Sequence, residues 1–232
     1  MKLALMQPYL FPYLGYFQLI AACDVFVIHD DVQYIKAGWI NRNRILANGR
    51  DQLITIPVQH DQFSKRINER RLVACPAPGF VALRQIHAAY WRAPFHAETI
   101  ALIERCFAFE DMNVARFVTH TITHVCRHLD IGTPIEVSST ISKPTDVHGE
   151  DRVLMLNKQF HADHYINPIG GTELYDRDRF RKEGIELSFL KPRAITYPQF
   201  DHPFVPFLSI IDVLMFNSID ATRRLLTEYD LV

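Results

Sequence analysis

Three apolar runs near the start of the chain restrict its fold more than any other stretch. Met1 to Met6 breaks at Gln7-Pro8, Leu14 to Ala22 follows a proline-rich loop, and Asp24 to Ile28 closes the series. The first run is short and ends in a turn, which suits a buried strand. The second is long enough for a helix. The third, Val-Phe-Val-Ile after a turn-prone Asp24, suits another buried strand. Strand, loop, helix, strand implies a right-handed crossover between parallel strands.

The remaining pattern extends this unit. Gln52 to Val58 reads as a third strand after the turn dipeptide Asn48-Gly49. Helices are expected from Phe80 to Trp91, opened by Pro78-Gly79 and stopped by Pro94, from His96 to Phe107, and from an N-cap at Asn113 to Leu129. Beyond Gly132-Thr-Pro134, strands at Ile135–Ser139, Tyr165–Ile166 and Ile185–Leu190 alternate with helices at Glu150–Phe160 and Thr172–Lys182. Apolar helices at Pro206–Asn217 and Ala221–Leu226 follow. The expected fold class is α/β, with a mainly parallel Rossmann-like sheet and a helical insertion in the middle of the chain. One domain spanning residues 1–232, with a helical subdomain at about residues 76–131, accommodates that pattern.

Composition excludes several classes. A formal net charge of -1 argues against general nucleic-acid binding. No apolar window is long enough for a membrane span, and the apolar start is too short for a signal peptide, so a cytoplasmic location is expected. Cys23, Cys75, Cys106 and Cys126 are widely spaced, which suits unpaired thiols in a reducing compartment better than a disulfide framework or a structural zinc site.

The loop from Gln7 to Tyr16 carries Pro8, Pro12, Tyr9, Phe11, Tyr13 and Tyr16, a rigid path lined with flat, partly polar surfaces. Between a first strand and a first helix, it occupies the place where open parallel sheets bind ligands. Gln7, Tyr9, Tyr13 and Tyr16 are candidate binding residues, and Gly15 would let a ligand approach the helix start. Asp30-Asp31 ends the second strand. Because successive residues of a strand face opposite ways, at most one is expected to enter a pocket there, as general base, cation ligand or ammonium grip. Lys36, Arg42 and Arg44 follow as candidate anion binders, and Trp39 as a stacking surface for a sugar or base. Asp30, Asp31 and Lys36 form the candidate catalytic set; Tyr34, Trp39, Asn41 and Arg42 join the binding set.

Further along, His120, His124 and His128 lie one above another on a helix, but the outer pair is displaced by about 12 Å, so all three cannot share a metal. A polar, partly exposed helical face is the expectation, and no metal site is read. Ile141–Asp146 follows a strand and brings Lys143 and Asp146 to the same edge. Asn167-Pro-Ile-Gly170-Gly171-Thr172 opens a helix with backbone N–H groups suited to an anion. Gln199, in Tyr197-Pro-Gln-Phe200, and Asp212 with Asn217 place polar groups in an apolar stretch, where either core satisfaction or ligand binding accounts for them.

Taken together, several segments resemble the WbqC-like family: Met6-Gln-Pro-Tyr-Leu-Phe-Pro-Tyr-Leu-Gly-Tyr-Phe-Gln18, His29-Asp-Asp-Val-Gln-Tyr34, Gly38-Trp-Ile-Asn-Arg-Asn-Arg44, Ile54-Thr-Ile-Pro-Val58, Tyr197-Pro-Gln199 and Leu208-Ser-Ile-Ile-Asp212. The resemblance covers almost the entire chain, with His29 standing where the family commonly has tyrosine. It implies a place in bacterial O-antigen or other surface-polysaccharide biosynthesis, and transfer of a small aminoacyl group, such as glycyl, or an acyl group to an amino sugar or nucleotide-sugar substrate. Tyr13-Leu-Gly-Tyr16 also resembles the His-x-Gly-His loop of the nucleotidyltransferase superfamily with both histidines replaced, which keeps a nucleotidyltransferase-like enzyme as an alternative. A non-catalytic sugar-nucleotide binding protein is another. No cofactor and no oligomeric state is read from the sequence.

Overall fold

The computed structural model of the protein describes all residues except 63, 75, 76, 78 and 145. In chain order it forms β1 (Lys2–Met6), α1 (Leu14–Ala22), β2 (Val25–Ile28), β3 (Arg42–Ala47), β4 (Arg50–Thr55), α2 (Phe80–Tyr90), α3 (His96–Phe107), α4 (Val114–His128), β5 (Ile135–Val137), α5 (Gly149–Gln159), β6 (His164–Pro168), α6 (Arg177–Lys182), β7 (Glu186–Pro192), α7 (Ile210–Phe216), α8 (Ile219–Leu225) and β8 (Tyr229–Leu231). The main sheet has the order β5-β2-β1-β6-β7-β8, parallel throughout except for β8, which runs antiparallel to β7. The chain builds outward from β1 through β2 to β5, then returns to the other side of β1. The order therefore reverses between β1 and β6, where such sheets open a crevice at their carboxyl ends.

Alternation along β1 decides which layer covers which face. Leu3 and Leu5 pack with Val27, Leu156, Phe180 and Leu187 under α5 and α6. Ala4 faces the other way, with Phe26, Ile28 and Ile166, against α1 and the helices inserted between β2 and β5. Tyr16, Phe17, Leu19 and Ile20 are completely buried, so α1 is apolar on nearly every side. Each such side chain contributes about 1.5–3 kcal/mol relative to exposure.

Asn113 caps α4 as its sequence predicts, accepting from the Arg116 backbone N–H at 3.1 Å. The expected strand after Asn48-Gly49 forms, but as half of a separate antiparallel hairpin with β3 rather than in the main sheet. Helix α6 starts at Arg177 instead of Thr172, because Asp176 caps it by accepting from the Asp178 N–H at 2.9 Å. Helix α7 starts at Ile210, where Ser209 caps it. Strand β8 has too few residues to show a sequence period. Cys23, Cys106 and Cys126 are free and buried, and burial pushes each thiol up to about 12. Cys75, Pro78 and Thr145 lie outside the described residues. No helix among the described residues is long and apolar enough to cross a membrane.

Candidate functional site

Asp30 and Asp31 leave the carboxyl end of β2 and diverge. Asp31 turns toward α5. Its Oδ2 lies 3.0 Å from Lys143 Nζ and 3.6 Å from Arg152 Nη1, with all three side chains nearly sealed from water. Burial alone would raise Asp31, but the Lys143 hydrogen bond and charge outweigh it and hold the carboxyl below its ordinary value. His29 Nε2 approaches Asp31 Oδ1 to 3.7 Å. Burial pushes His29 down to about 4, so this contact is not an ion pair at neutral pH.

Asp30 turns the other way. Its Oδ1 accepts from the Ser139 N–H at 2.9 Å and its Oδ2 from the Ser139 hydroxyl at 2.6 Å. Burial raises this carboxyl despite both bonds. It also lines a cavity of about 250 Å³ shared with Val137 and the face of α4 that carries His120, His124, Arg116 and Arg127. Two consecutive carboxyls are thereby separated by environment: one locked in ion pairs, one raised and at a cavity edge. That division is how proteins assign different protonation roles to like groups.

The proline-rich loop is pinned from outside. The Asn43 amide donates to the carbonyls of Leu10 at 2.9 Å and Phe11 at 2.8 Å, and Ser209 Oγ donates to the Phe11 carbonyl at 2.6 Å. Those bonds hold Phe11 at φ +39°, a conformation an aromatic residue rarely takes. Tyr16 is completely buried and donates to the Gln7 carbonyl at 2.9 Å, so it shapes the loop from within, while Gln7 is half-buried at the end of β1. Gly15 leaves room for the Tyr13 ring: a Cβ there would stand 2.4 Å from Tyr13 Cε2. Tyr9, Tyr13 and Trp39, with Pro12, Asn43, Arg44 and Phe207, surround a cleft of about 190 Å³, where Arg44 stacks on Trp39 at 5.4 Å.

Tyr34, Lys36, Asn41 and Arg42 line a different cavity, of about 360 Å³, together with His60 and Arg70. There the Tyr34 hydroxyl donates to Asn41 Oδ1 at 2.8 Å, and Arg70 stacks on the Tyr34 ring at 4.8 Å. Arg42 clasps the carbonyls of Ala37 and Gly38. Lys36 is exposed at this cavity and does not line the one at Asp30. Gly170 and Gly171 follow β6 in a 3₁₀ turn. Gly170 is open to solvent, whereas Gly171 is buried against Asn167, whose Oδ1 would lie 2.0 Å from an added Cβ. Gln199 is turned inward: its amide donates to Asp212 Oδ2 at 2.6 Å, and its carbonyl accepts from the Val205 N–H at 2.7 Å. The candidates thus divide among three cavities and the interior.

Sequence reasoning flagged Lys143 but missed Arg152, Arg116 and Arg127. The signal for the last two is the spacing of Arg116, His120, His124 and Arg127 along one face of α4. Among the described residues, no group of three or more His, Cys, Asp or Glu side chains converges on a metal position.

The sequence profile of the WbqC-like protein family matches residues 7–224. An uncharacterized protein of Mycobacterium tuberculosis (strain ATCC 25618 / H37Rv), Rv1507c, is 30% identical over 219 residues, which make up 93% of each chain. No solved structure matches the chain.

Proposed function

Since the chain belongs to the WbqC-like protein family, we propose that it acts in surface-polysaccharide biosynthesis, transferring a small aminoacyl group, such as glycyl, or an acyl group to the amine of an amino sugar. The observation that carries the reading is the divergence of Asp30 and Asp31. Amide formation requires the amine nitrogen to attack an acyl carbonyl, lose a proton and expel the donor's leaving group. A carboxylate with a raised pKa at a cavity edge suits that proton transfer, and Asp30 is such a group. Both its oxygens are anchored by Ser139, and a carboxylate has more acceptor sites than those two bonds use. Asp31 is assigned a positioning role, since its ion pairs with Lys143 and Arg152 brace the backbone that presents Asp30.

The remaining candidates that reach a cavity or the surface are assigned to binding. Tyr9, Tyr13 and Trp39 offer flat walls in the 190 Å³ cleft. Lys36 and Arg42 supply positive charge beside Tyr34 and Asn41 in the 360 Å³ cavity. Gly170 leaves exposed backbone at the end of β6 for close approach of a ligand.

The test is a transfer assay with purified protein, a panel of glycyl and acyl donors and amino-sugar nucleotides, read by mass spectrometry as acceptor gaining one acyl residue. Asp30→Asn should abolish turnover with melting temperature unchanged. Turnover by that variant equal to wild type would remove Asp30 from the mechanism and the reading with it.

A further inference from the structure

Helix α4 has one face inside the core and one outside it. Val114, Phe117, Val118, Thr121, Ile122 and Val125 are buried; Arg116, Thr119, His120, Thr123, His124 and Arg127 recur at helical spacing on the other side. A polar face of this kind ordinarily meets only water. Here it looks across the 250 Å³ cavity at the carboxyl ends of β2 and β5, with Asp30 and Val137 on the opposite wall.

The two walls differ in charge and in how far their groups are already engaged. Arg116 is committed, since its Nε lies 2.5 Å from Asp111 Oδ2 and its Nη2 3.2 Å from Oδ1. Arg127 makes no side-chain hydrogen bond or ion pair among the described residues, although it lines the cavity. The His120 ring is held between Phe109, stacked at 4.1 Å, and His124 at 4.0 Å. The Arg105 carbonyl on α3 accepts a hydrogen bond from this ring, so His120 serves as a wall of the cavity. Thr119 and Thr123 add hydroxyls between the arginines.

An arginine without an anion and a carboxylate on the facing wall describe a ligand with charges of both signs. Arginine's planar fork matches phosphate oxygens, and a carboxylate grips an ammonium. A cavity of about 250 Å³ has the size of a single sugar ring with one substituent rather than a whole nucleotide sugar. We infer that this cavity binds a phosphate-bearing amino sugar, its amine at Asp30 and its phosphate at Arg127. The inference rests on the reading of Asp30 as the group that meets the substrate amine, and it adds the anion that orients that amine.

The test is isothermal titration of the full chain with three probes: glucosamine 1-phosphate, N-acetylglucosamine 1-phosphate and glucosamine. Each charge-assisted contact is worth about tenfold or more in affinity. Glucosamine 1-phosphate should therefore bind at least about tenfold more tightly than either probe lacking one charge. Arg127→Glu, at an exposed and unpartnered position, should erase the advantage of the phosphate while keeping the wild-type melting temperature. Asp30→Asn should erase the advantage of the free amine over the acetylated one. Equal binding of all three probes, or an Arg127→Glu variant that binds glucosamine 1-phosphate like wild type, overturns the inference. Tight, Arg127-dependent binding with no donor consumed upholds it and sinks the transferase reading. Turnover of acceptors that lack phosphate, with no binding of glucosamine 1-phosphate, does the reverse.

Discussion

Lys143 Nζ stands 3.0 Å from Asp31 Oδ2 in a setting where neither side chain has appreciable contact with water. A pair like this costs more to break than it is worth to make, because removing one partner strands the other's charge. Lys143→Met should destabilise the protein by about 3 kcal/mol, measured by urea unfolding, with Arg152 left to hold part of the Asp31 charge. A loss under about 0.5 kcal/mol would mean that water reaches the pair.

The same pair sets an acid limit on stability. Asp31 has a folded pKa below the unfolded carboxylate value of about 3.9. Its stabilisation is therefore complete above that value and lost as pH falls through the folded pKa. Asp212 carries the opposite sign: burial raises its pKa, so its contribution is complete below about 3.9 and lost as pH rises through the folded value. Unfolding free energy measured from pH 3 to 8 should show Lys143→Met losing the acid-side slope. Asp212→Asn should gain on wild type with rising pH. Parallel curves for all three proteins would contradict both assignments.

Asp212 is also a junction for three donors. Tyr90 and Tyr197 give their hydroxyl protons to it at 2.8 and 2.7 Å, and Gln199 its amide at 2.6 Å. Asp212→Ala strands all three in the core and should cost about 3 kcal/mol or more, against a smaller loss for Asp212→Asn. Thermal unfolding of the two variants provides the comparison.

Gly15 and Tyr13 are coupled by space. With a Cβ at position 15 the Tyr13 ring must move, and Pro192 at 3.0 Å limits where it can go. Gly15→Ala should cost about 1–3 kcal/mol in the wild-type protein and much less in a Tyr13→Ala background. A double-mutant cycle with no coupling would show that the ring relocates freely.

Asn43→Ala removes both donors that hold the Leu10 and Phe11 carbonyls and the acceptor for the Arg44 N–H. It should cost about 2 kcal/mol and raise amide exchange from Tyr9 to Tyr13, read by hydrogen–deuterium exchange. Unchanged exchange in that segment would assign the loop's rigidity to its other bonds, from Ser209 Oγ to the Phe11 carbonyl and from the Ile210 N–H to the Pro12 carbonyl.

The early strands and helices were legible because their apolar runs are local and bounded by turns. Asp30 and Asp31 lie beyond β2, which ends at Ile28, so their divergence comes from the bend at Asp31 and not from strand alternation. Other features depend on groups that meet only in three dimensions. Arg42 and Arg44 line cavities at the start of strand β3, but Asn43 between them spends its amide on a loop more than thirty residues away. Gln199 looked like a ligand contact, although the core contains its partner, Asp212. The α4 face is polar and partly exposed, as its sequence predicts; that it shares a cavity with Asp30 was not legible, because the end of β2 lies far from it in sequence. Local pattern records propensity and period; long-range polar pairing leaves little trace in it.

Strand β1 has a further consequence, for the order of assembly. It pairs with β2 within the first thirty residues, but its other neighbour, β6, begins at His164, which pairs with Lys2. A chain emerging from the ribosome can pair β1 with β2 early, while the other edge of β1 waits for most of the sequence to be made. The crevice between β1 and β6 thus comes into being only as folding finishes. Partly folded molecules hold the proline-rich loop and the two aspartates without the β6 edge, so ligand binding there would report completed folding rather than assist its early steps.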